Sequence, residues 1–208
     1  MKKIVVFAML IVGLVSFSFG DNSHYYDYVI KGKYMKKLCF DFKNSYDNPE
    51  WEQALIGALN TYNNEFKYNT VINFVYMRSS IDDCSYTVQI ETEYNDNAND
   101  DYDAVTTGRN SWYRQPFDKI KINLANTGRL YSYNMKKALI MHEISHVIGL
   151  KHKGYGWGTK VPNTSNDPHP ENSVTNGGAS DYLYDHIAPQ EYMYNFSEYD
   201  KKAIRYLY

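Results

Sequence analysis

The sequence predicts an α+β fold in which five strands, two long helices and a short final helix form one domain. Two observations lead to this prediction. Apolar residues recur at helical spacing in segments that begin at helix-capping residues, and short β-branched and aromatic runs lie around them. The chain has 208 residues, of which 43% are hydrophobic, so it is long enough to bury one substantial core.

The first helix is predicted over residues 49–66. Asn48 can cap it, and Pro49 is suited to the first helical position. The apolar residues that follow recur every three or four positions, which is typical of an amphipathic helix. These residues are Trp51, Leu55, Ala58, Leu59, Tyr62 and Phe66.

Two more helices are predicted in the second half of the chain. Asn134 can cap a helix that runs to about Ile148, and Gly149 is placed to end it. Ser197, with Asp200 three residues later, has the spacing of a capping box and opens a final helix that ends near Tyr206.

The strands are predicted from runs of β-branched and aromatic residues. They lie at 37–42, 71–77, 85–93, 104–107 and 120–124, with 104–107 expected to be a short edge strand. Residues 21–35 are polar and rich in tyrosine, which predicts an N-terminal tail. Residues 153–191 hold most of the glycines and prolines and are expected to form a long loop.

Residues 95–103 contain four aspartates among asparagines, which leaves two interpretations open. The segment could bind calcium, or it could be a solvated loop. The solvated loop is favoured because the spacing matches no recognisable metal-binding pattern. The aspartates are Asp96, Asp100, Asp101 and Asp103.

Residues 1–20 have the pattern of a secretory signal peptide. Lys2 and Lys3 precede an apolar stretch, and Ser18 and Gly20 are small residues at the −3 and −1 positions of a cleavage site. The apolar stretch is shorter than the roughly 20 residues that span a bilayer. We therefore expect an exported protein without a membrane anchor.

Composition excludes several other classes of protein. A net charge of −2 argues against nucleic acid or an anionic membrane as the main partner. An aromatic content of 16% is too high for a disordered chain, and two cysteines are too few for a cysteine-built metal cluster. We expect a monomer.

One segment has the spacing of a metal site. His142 and His146 are four residues apart on the predicted second helix, so their imidazoles project from nearly the same side and can share a zinc ion. Glu143 follows the first histidine, where its carboxylate can hydrogen-bond a water on the metal. Gly149 can adopt a positive φ and turn the chain, so that His152 supplies the third ligand and leaves a fourth position for water.

These residues resemble the zinc motif of the metzincin metallopeptidases, H-E-x-x-H-x-x-G-x-x-H, over His142 to His152. Metzincins also have a methionine-containing turn beneath the metal, the Met-turn, and Met193 stands at the matching place before the final helix. The resemblance is to the matrixin type and covers roughly residues 36–208. It implies a metzincin-like catalytic domain with a twisted five-stranded mixed sheet and one catalytic Zn²⁺.

The resemblance further implies a secreted zinc-dependent endopeptidase that acts on a protein or peptide substrate. Glu143 would activate a zinc-bound water for attack on the peptide carbonyl. The substrate would lie extended along an edge strand. Tyr194, beside Met193, is a candidate for stabilising the transition state.

Two other functions stay open at this point. One is a secreted zinc-binding adhesion or scaffold module that no longer cleaves, and the other is a zinc hydrolase of a non-peptide substrate. The intact Glu143 argues against the first, because a non-catalytic module has no need of the base.

The resemblance also implies a disulfide between Cys39 and Cys84. In the metzincin sheet the first and third strands are parallel neighbours, and these cysteines lie in the first predicted strand and at the start of the third. Neighbouring strands are about 4.8 Å apart, within the roughly 4.4–6.8 Å Cα separation of a disulfide. Export to an oxidising compartment would keep the bond closed.

Overall fold

The structure is a computed structural model that describes residues 24–25, 37–66, 72–77, 83–97, 102–108, 117–127, 132–152, 159–162, 173–174 and 195–208. The strands are β1 (His24–Tyr25), β2 (Lys37–Phe42), β3 (Asn73–Tyr76), β4 (Tyr86–Glu93), β5 (Ala104–Thr107), β6 (Lys119–Asn123) and β7 (Thr159–Lys160). The helices are α1 (Pro49–Phe66), α2 (Tyr133–Val147) and α3 (Glu198–Leu207), with a 3₁₀ turn at Ser45–Asp47. None of these helices is both long and apolar enough to cross a membrane.

Five strands form one mixed sheet in the order β3-β2-β4-β6-β5. The first four are parallel, with Phe40 opposite both Tyr76 and Val88, and β5 runs antiparallel to β6 at the edge. This arrangement confirms the predicted α+β fold with a five-stranded mixed sheet. It also places the antiparallel strand β5 at one edge, beside helix α2.

Helix α1 turns one apolar side to the core. The predicted apolar positions are all buried, and the ring of Tyr62 is fully enclosed. Its hydroxyl donates a hydrogen bond of 2.9 Å to the main-chain carbonyl of Met141 in α2. This contact joins the two long helices at the turn of α2 that precedes His142.

Helix α2 begins two residues earlier than the sequence predicted. Ser132, not Asn134, is the N-cap: its backbone is extended and its side chain accepts a hydrogen bond from the Met135 amide. Both residue types cap helices well, so sequence alone did not decide between them. The helix ends at Val147, and Gly149 follows with a φ of 99°, in the left-handed region that favours glycine.

The region predicted as an N-terminal tail contains a short strand. β1 pairs antiparallel with β7, which lies in the predicted long loop, so that His24 faces Lys160 in the register. Two-residue strands that pair over such a sequence distance leave no alternating pattern to detect. The predicted signal peptide at residues 1–20 lies outside the described residues.

The structure joins Cys39 and Cys84 in a disulfide with a Cα–Cα distance of 5.8 Å. Cys39 lies in β2 and is fully buried, while Cys84 precedes the parallel neighbour β4. The bond therefore ties two adjacent strands together at the end where β4 begins.

Candidate metal centre

His142 and His146 lie in the last two turns of α2 and point into the protein. Only 6% of His142 and 8% of His146 is exposed to solvent. The surrounding residues of the helix, from Ala138 to Val147, are all buried, so this half of α2 is enclosed on every side. Its two histidines are therefore held in fixed positions by the packing around them.

A sharp turn after α2 returns the chain to the same point. The amide of Gly149 donates to the carbonyl of His146, and the amide of Leu150 donates to that of Ser145, both at 2.9 Å. The positive φ of Gly149 permits this reversal. His152, two residues beyond Leu150, then lies against the histidines of the helix.

The three imidazoles converge through their Nε2 atoms. Nε2 of His142 is 3.1 Å from that of His146 and 3.0 Å from that of His152. One nitrogen from each ring lies within 4.8 Å of the other two. Among the residues that the structure describes, this is the one group of three or more metal-binding side chains.

Hydrogen bonds on the far side of two rings determine which nitrogen faces the centre. Nδ1 of His142 is 2.7 Å from the carbonyl of Val174, and Nδ1 of His146 is 2.7 Å from that of Leu150. A carbonyl can only accept, so both Nδ1 atoms carry the proton and both Nε2 atoms present a lone pair. This is the arrangement that orients metal-binding histidines in proteins.

Burial keeps these rings neutral. It lowers the pKa of His142 well below its usual range, and the repulsion that protonated rings of His146 and His152 would exert lowers it further. Burial likewise lowers the pKa of His146 to about 4 and lowers the pKa of His152. Neutral imidazole is the form that binds metal ions.

The spacing of the donors fits one metal ion shared by the three rings. Bond lengths of about 2.0–2.1 Å to nitrogen place two ligands of a tetrahedral zinc roughly 3.3 Å apart. The observed separations of 3.0 and 3.1 Å are close to that value. No proton lies between the Nε2 lone pairs of His142 and His146, so the two lone pairs repel each other at this distance. A cation bound between them would attract both.

Glu143 lies beside the first histidine, with 4% of its surface exposed. Its carboxylate accepts a hydrogen bond from the hydroxyl of Thr106 in β5, with 2.5 Å between Oε2 and Oγ1. Burial raises the pKa of Glu143 to about 7; the Thr106 hydrogen bonds oppose this shift, and the nearby charge of Asp103 adds to it. The carboxylate is therefore set to bind and release a proton near neutral pH, which a general acid–base group needs.

Other predicted site residues have different outcomes. Met193 and Tyr194 lie outside the described residues, so the Met-turn and a tyrosine role stay predictions. Asp100 and Asp101 of the acidic segment also lie outside them. Asp96 and Asp103 are described, but neither belongs to a metal-binding group in the described part of the chain, and a calcium site has no support.

A comparison with protein families agrees with this geometry. The family model of the dual-action HEIGH metallo-peptidases matches residues 23–161, well over half of the chain and all of the histidine motif. The chain belongs to the HEIGH metallo-peptidase family. This family is of the metzincin type, which confirms the resemblance seen in the sequence. No curated protein matches the chain.

As a HEIGH metallo-peptidase the protein is a hydrolase that acts on proteins or peptides. Membership argues against the scaffold module and the non-peptide hydrolase. The letters of the family name, taken as residues, agree with His142, Glu143, Ile144 and His146, whereas Ser145 stands where the name has glycine. Ser145 is fully buried, and its hydroxyl donates 2.6 Å to the carbonyl of His142, so the helix accommodates it.

Sequence reasoning missed three partners of the site. The carbonyls of Leu150 and Val174 orient the histidines, but a backbone carbonyl leaves no signature in residue type. Thr106 was included in the predicted edge strand without a role. Its contact with Glu143 depends on how β5 lies against α2, which no local pattern reveals.

Proposed function

We propose that this HEIGH metallo-peptidase is a secreted zinc-dependent endopeptidase in which His142, His146 and His152 hold the metal and Glu143 is the general base. The observation that supports this most directly is the convergence of three Nε2 atoms with 3.0 and 3.1 Å separations. Three protein ligands leave a fourth position open, as in catalytic zinc sites.

The ligand chemistry favours zinc over other divalent ions. Imidazole nitrogen suits zinc, copper, iron and nickel, whereas calcium and magnesium prefer oxygen. Of the first group, zinc has no preferred geometry of its own and would accept a site of three histidines and one water. When bound here, zinc would act as a Lewis acid towards a water and the peptide carbonyl.

Glu143 would move the proton. It follows His142 directly, and Thr106 holds its carboxylate through Oε2, so that the carboxylate has a fixed place beside the metal ligands. It can take the proton of the attacking water and then pass it to the leaving amine, while the buried setting keeps bulk water from competing.

The substrate would bind along β5. This strand lies at the edge of the sheet, runs antiparallel to β6 and carries Thr106 next to Glu143. An edge strand offers unpaired backbone groups, so an extended peptide can add to it as a further strand. Such pairing would bring a main-chain carbonyl near the metal whatever the substrate's side chains are.

Two observations support export of the protein from the cell. Residues 1–20 have the signal-peptide pattern, and the disulfide between Cys39 and Cys84 is typical of proteins that leave the reducing cytosol. N-terminal sequencing of protein recovered outside the producing cell should begin at Asp21. Retention of the whole chain inside the cell would contradict this part of the proposal.

The function is tested with purified protein, zinc analysis and cleavage of an unfolded protein such as casein. We expect one zinc per chain, cleavage that stops with a chelator, and recovery when zinc is restored. Glu143→Gln should keep the zinc but lose at least about 100-fold in rate, as removal of a general base does. Glu50→Gln is the matched control, because this side chain is 53% exposed and far from the motif in sequence.

Two results would contradict the proposal. One is cleavage by the Glu143→Gln variant at the rate of the control. The other is a protein that binds zinc in the expected ratio and cleaves no peptide bond in any unfolded protein offered to it.

A further inference from the structure

Asp200 in the first turn of α3 is a fully buried carboxylate with more partners than helix capping needs. The capping box accounts for its contacts with Ser197, whose amide donates to Oδ2 at 2.9 Å. Two further donors come from a distant segment: the hydroxyl of Ser173 lies 2.5 Å from Oδ1, and the amide of Val174 lies 3.0 Å from Oδ2.

Val174 connects this carboxylate to the histidine cluster. Its amide donates to Asp200, and its carbonyl accepts the hydrogen bond from Nδ1 of His142 at 2.7 Å. Ser173 and Val174 are themselves buried, with 1% and 4% of their surface exposed. Asp200 thus holds both residues of the segment that orients the His142 ring.

We propose that Asp200 is a positioning residue of the metal centre, which acts through Val174 to fix the direction of the His142 imidazole. The inference rests on the proposed function, in which His142 binds zinc. Burial of a carboxylate is costly, and Ser197 alone could cap the helix. The cost is understandable if the carboxylate has the further task of holding the 173–174 segment at a fixed distance from His142.

A purely structural role would have a different consequence. If Asp200 only anchored α3, its loss would lower stability and leave the metal affinity of the folded protein unchanged. If it orients His142, the affinity falls as well, because partners outside the ligand shell determine how well a ligand points at the metal. Metal affinity measured on folded protein therefore separates the two roles.

The experiment compares variants of the full chain by zinc competition with a chromophoric chelator, at a temperature where circular dichroism shows each to be folded. Asp200→Ala removes the contacts with both segments. We expect it to bind zinc at least about tenfold more weakly. This is the smallest loss that is usual when a group that orients a metal ligand is removed. The absorption bands of the Co²⁺-substituted protein, which report ligand geometry, should shift.

Ser197→Ala is the matched control, because it removes the capping hydroxyl, which also donates to Oδ2 of Asp200 at 2.8 Å, and leaves both donors from the 173–174 segment in place. It should lower the melting temperature but keep the zinc affinity of the unaltered protein. Asp200→Asn should bind zinc much more tightly than Asp200→Ala and nearly as tightly as the unaltered protein. Its amide oxygen can accept from Val174, and its amide nitrogen can donate to Ser173.

The proposal is overturned if Asp200→Ala binds zinc as tightly as the unaltered protein, or if Ser197→Ala loses affinity to the same extent. Should Asp200→Ala not fold, Asp200→Ser keeps a polar side chain at this position but places no oxygen where Oδ2 accepts from the Val174 amide; a weaker zinc affinity would support the proposal, and an unchanged one would overturn it. Absence of zinc binding in the unaltered protein would instead overturn the proposed function together with this inference.

Discussion

The hydroxyl of Thr106 in the edge strand β5 donates a hydrogen bond to the carboxylate of Glu143 in helix α2. The same hydroxyl lies 3.2 Å from the main-chain oxygen of Glu143. The strand proposed to receive substrate is thus in direct contact with the proposed general base. This contact makes the position of the base dependent on the position of the strand.

Thr106→Val should lower kcat more than it changes KM. The substitution keeps the shape of the side chain and removes the hydrogen bond to a charged group, which is worth about 1.5–3 kcal/mol. We expect a loss of roughly tenfold or more in kcat, since each 1.36 kcal/mol is a factor of ten in rate. Steady-state kinetics on a fluorogenic peptide measures both constants. Thr106→Ser, which keeps the hydroxyl, should retain most of the activity, and equal losses in the two variants would disprove the role.

His152→Ala should abolish stabilisation by zinc. Two histidines on one helix bind zinc poorly, and a ligand stabilises a protein only in proportion to its occupancy. The melting temperature of the unaltered protein should rise on addition of zinc and fall on chelation. The melting temperature of His152→Ala should be the same with zinc and with chelator. Lys151→Ala, one residue away, is the control and should respond to zinc as the unaltered protein does. A full zinc response in His152→Ala would show that the third ligand is misassigned.

Gly149→Ala should weaken metal binding and lower stability together. The φ of 99° at this position is strained for any residue with a Cβ atom, at a cost of about 1–2 kcal/mol. Relief of that strain would move His152 away from the helix. Urea unfolding and zinc competition measure the two effects. If the variant unfolds earlier but binds zinc normally, the turn contributes stability without directing the third ligand.

Replacing both Cys39 and Cys84 with alanine should destabilise the fold by about 2–4 kcal/mol, because the bond closes a chain segment with a sequence separation of 45. The folded variant should keep its zinc, because the cysteines lie in and beside the sheet and not at the histidines. Unfolding in urea gives the free energy. Alkylation of the denatured protein without reductant should label no thiol in the unaltered chain, and two labelled cysteines would refute the pairing.

Local patterns predicted the main elements well. The bounds of β2 at Lys37–Phe42 and of α1 at Pro49–Phe66 agree with the sequence prediction, since each has a strong period or cap of its own. The pairing of His24 with Lys160 and the cap at Ser132 were missed. The first depends on residues far apart in sequence, and the second on a choice between two capable residues.

The same division holds for the site. The histidine spacing was sufficient to predict the cluster, because residue type and spacing on a helix determine where those rings go. The tertiary contacts around the histidines and Glu143 were not predictable. Val174 contributes a carbonyl that every residue has, and Thr106 and Asp200 act through tertiary contacts that have no periodic signature.

The sharp turn at Gly149 also bears on the order in which the enzyme becomes competent. His142, His146, His152 and the carbonyl of Leu150 all belong to one short stretch of chain, whose closure costs little entropy. The contact from Thr106 to Glu143 spans 37 positions and needs the assembled sheet. Under the proposed function, a partly unfolded chain would therefore hold metal, more weakly than the folded one without the contact from Val174, before Glu143 has its contact with Thr106. Metal content alone would then overstate the amount of working protease in a preparation.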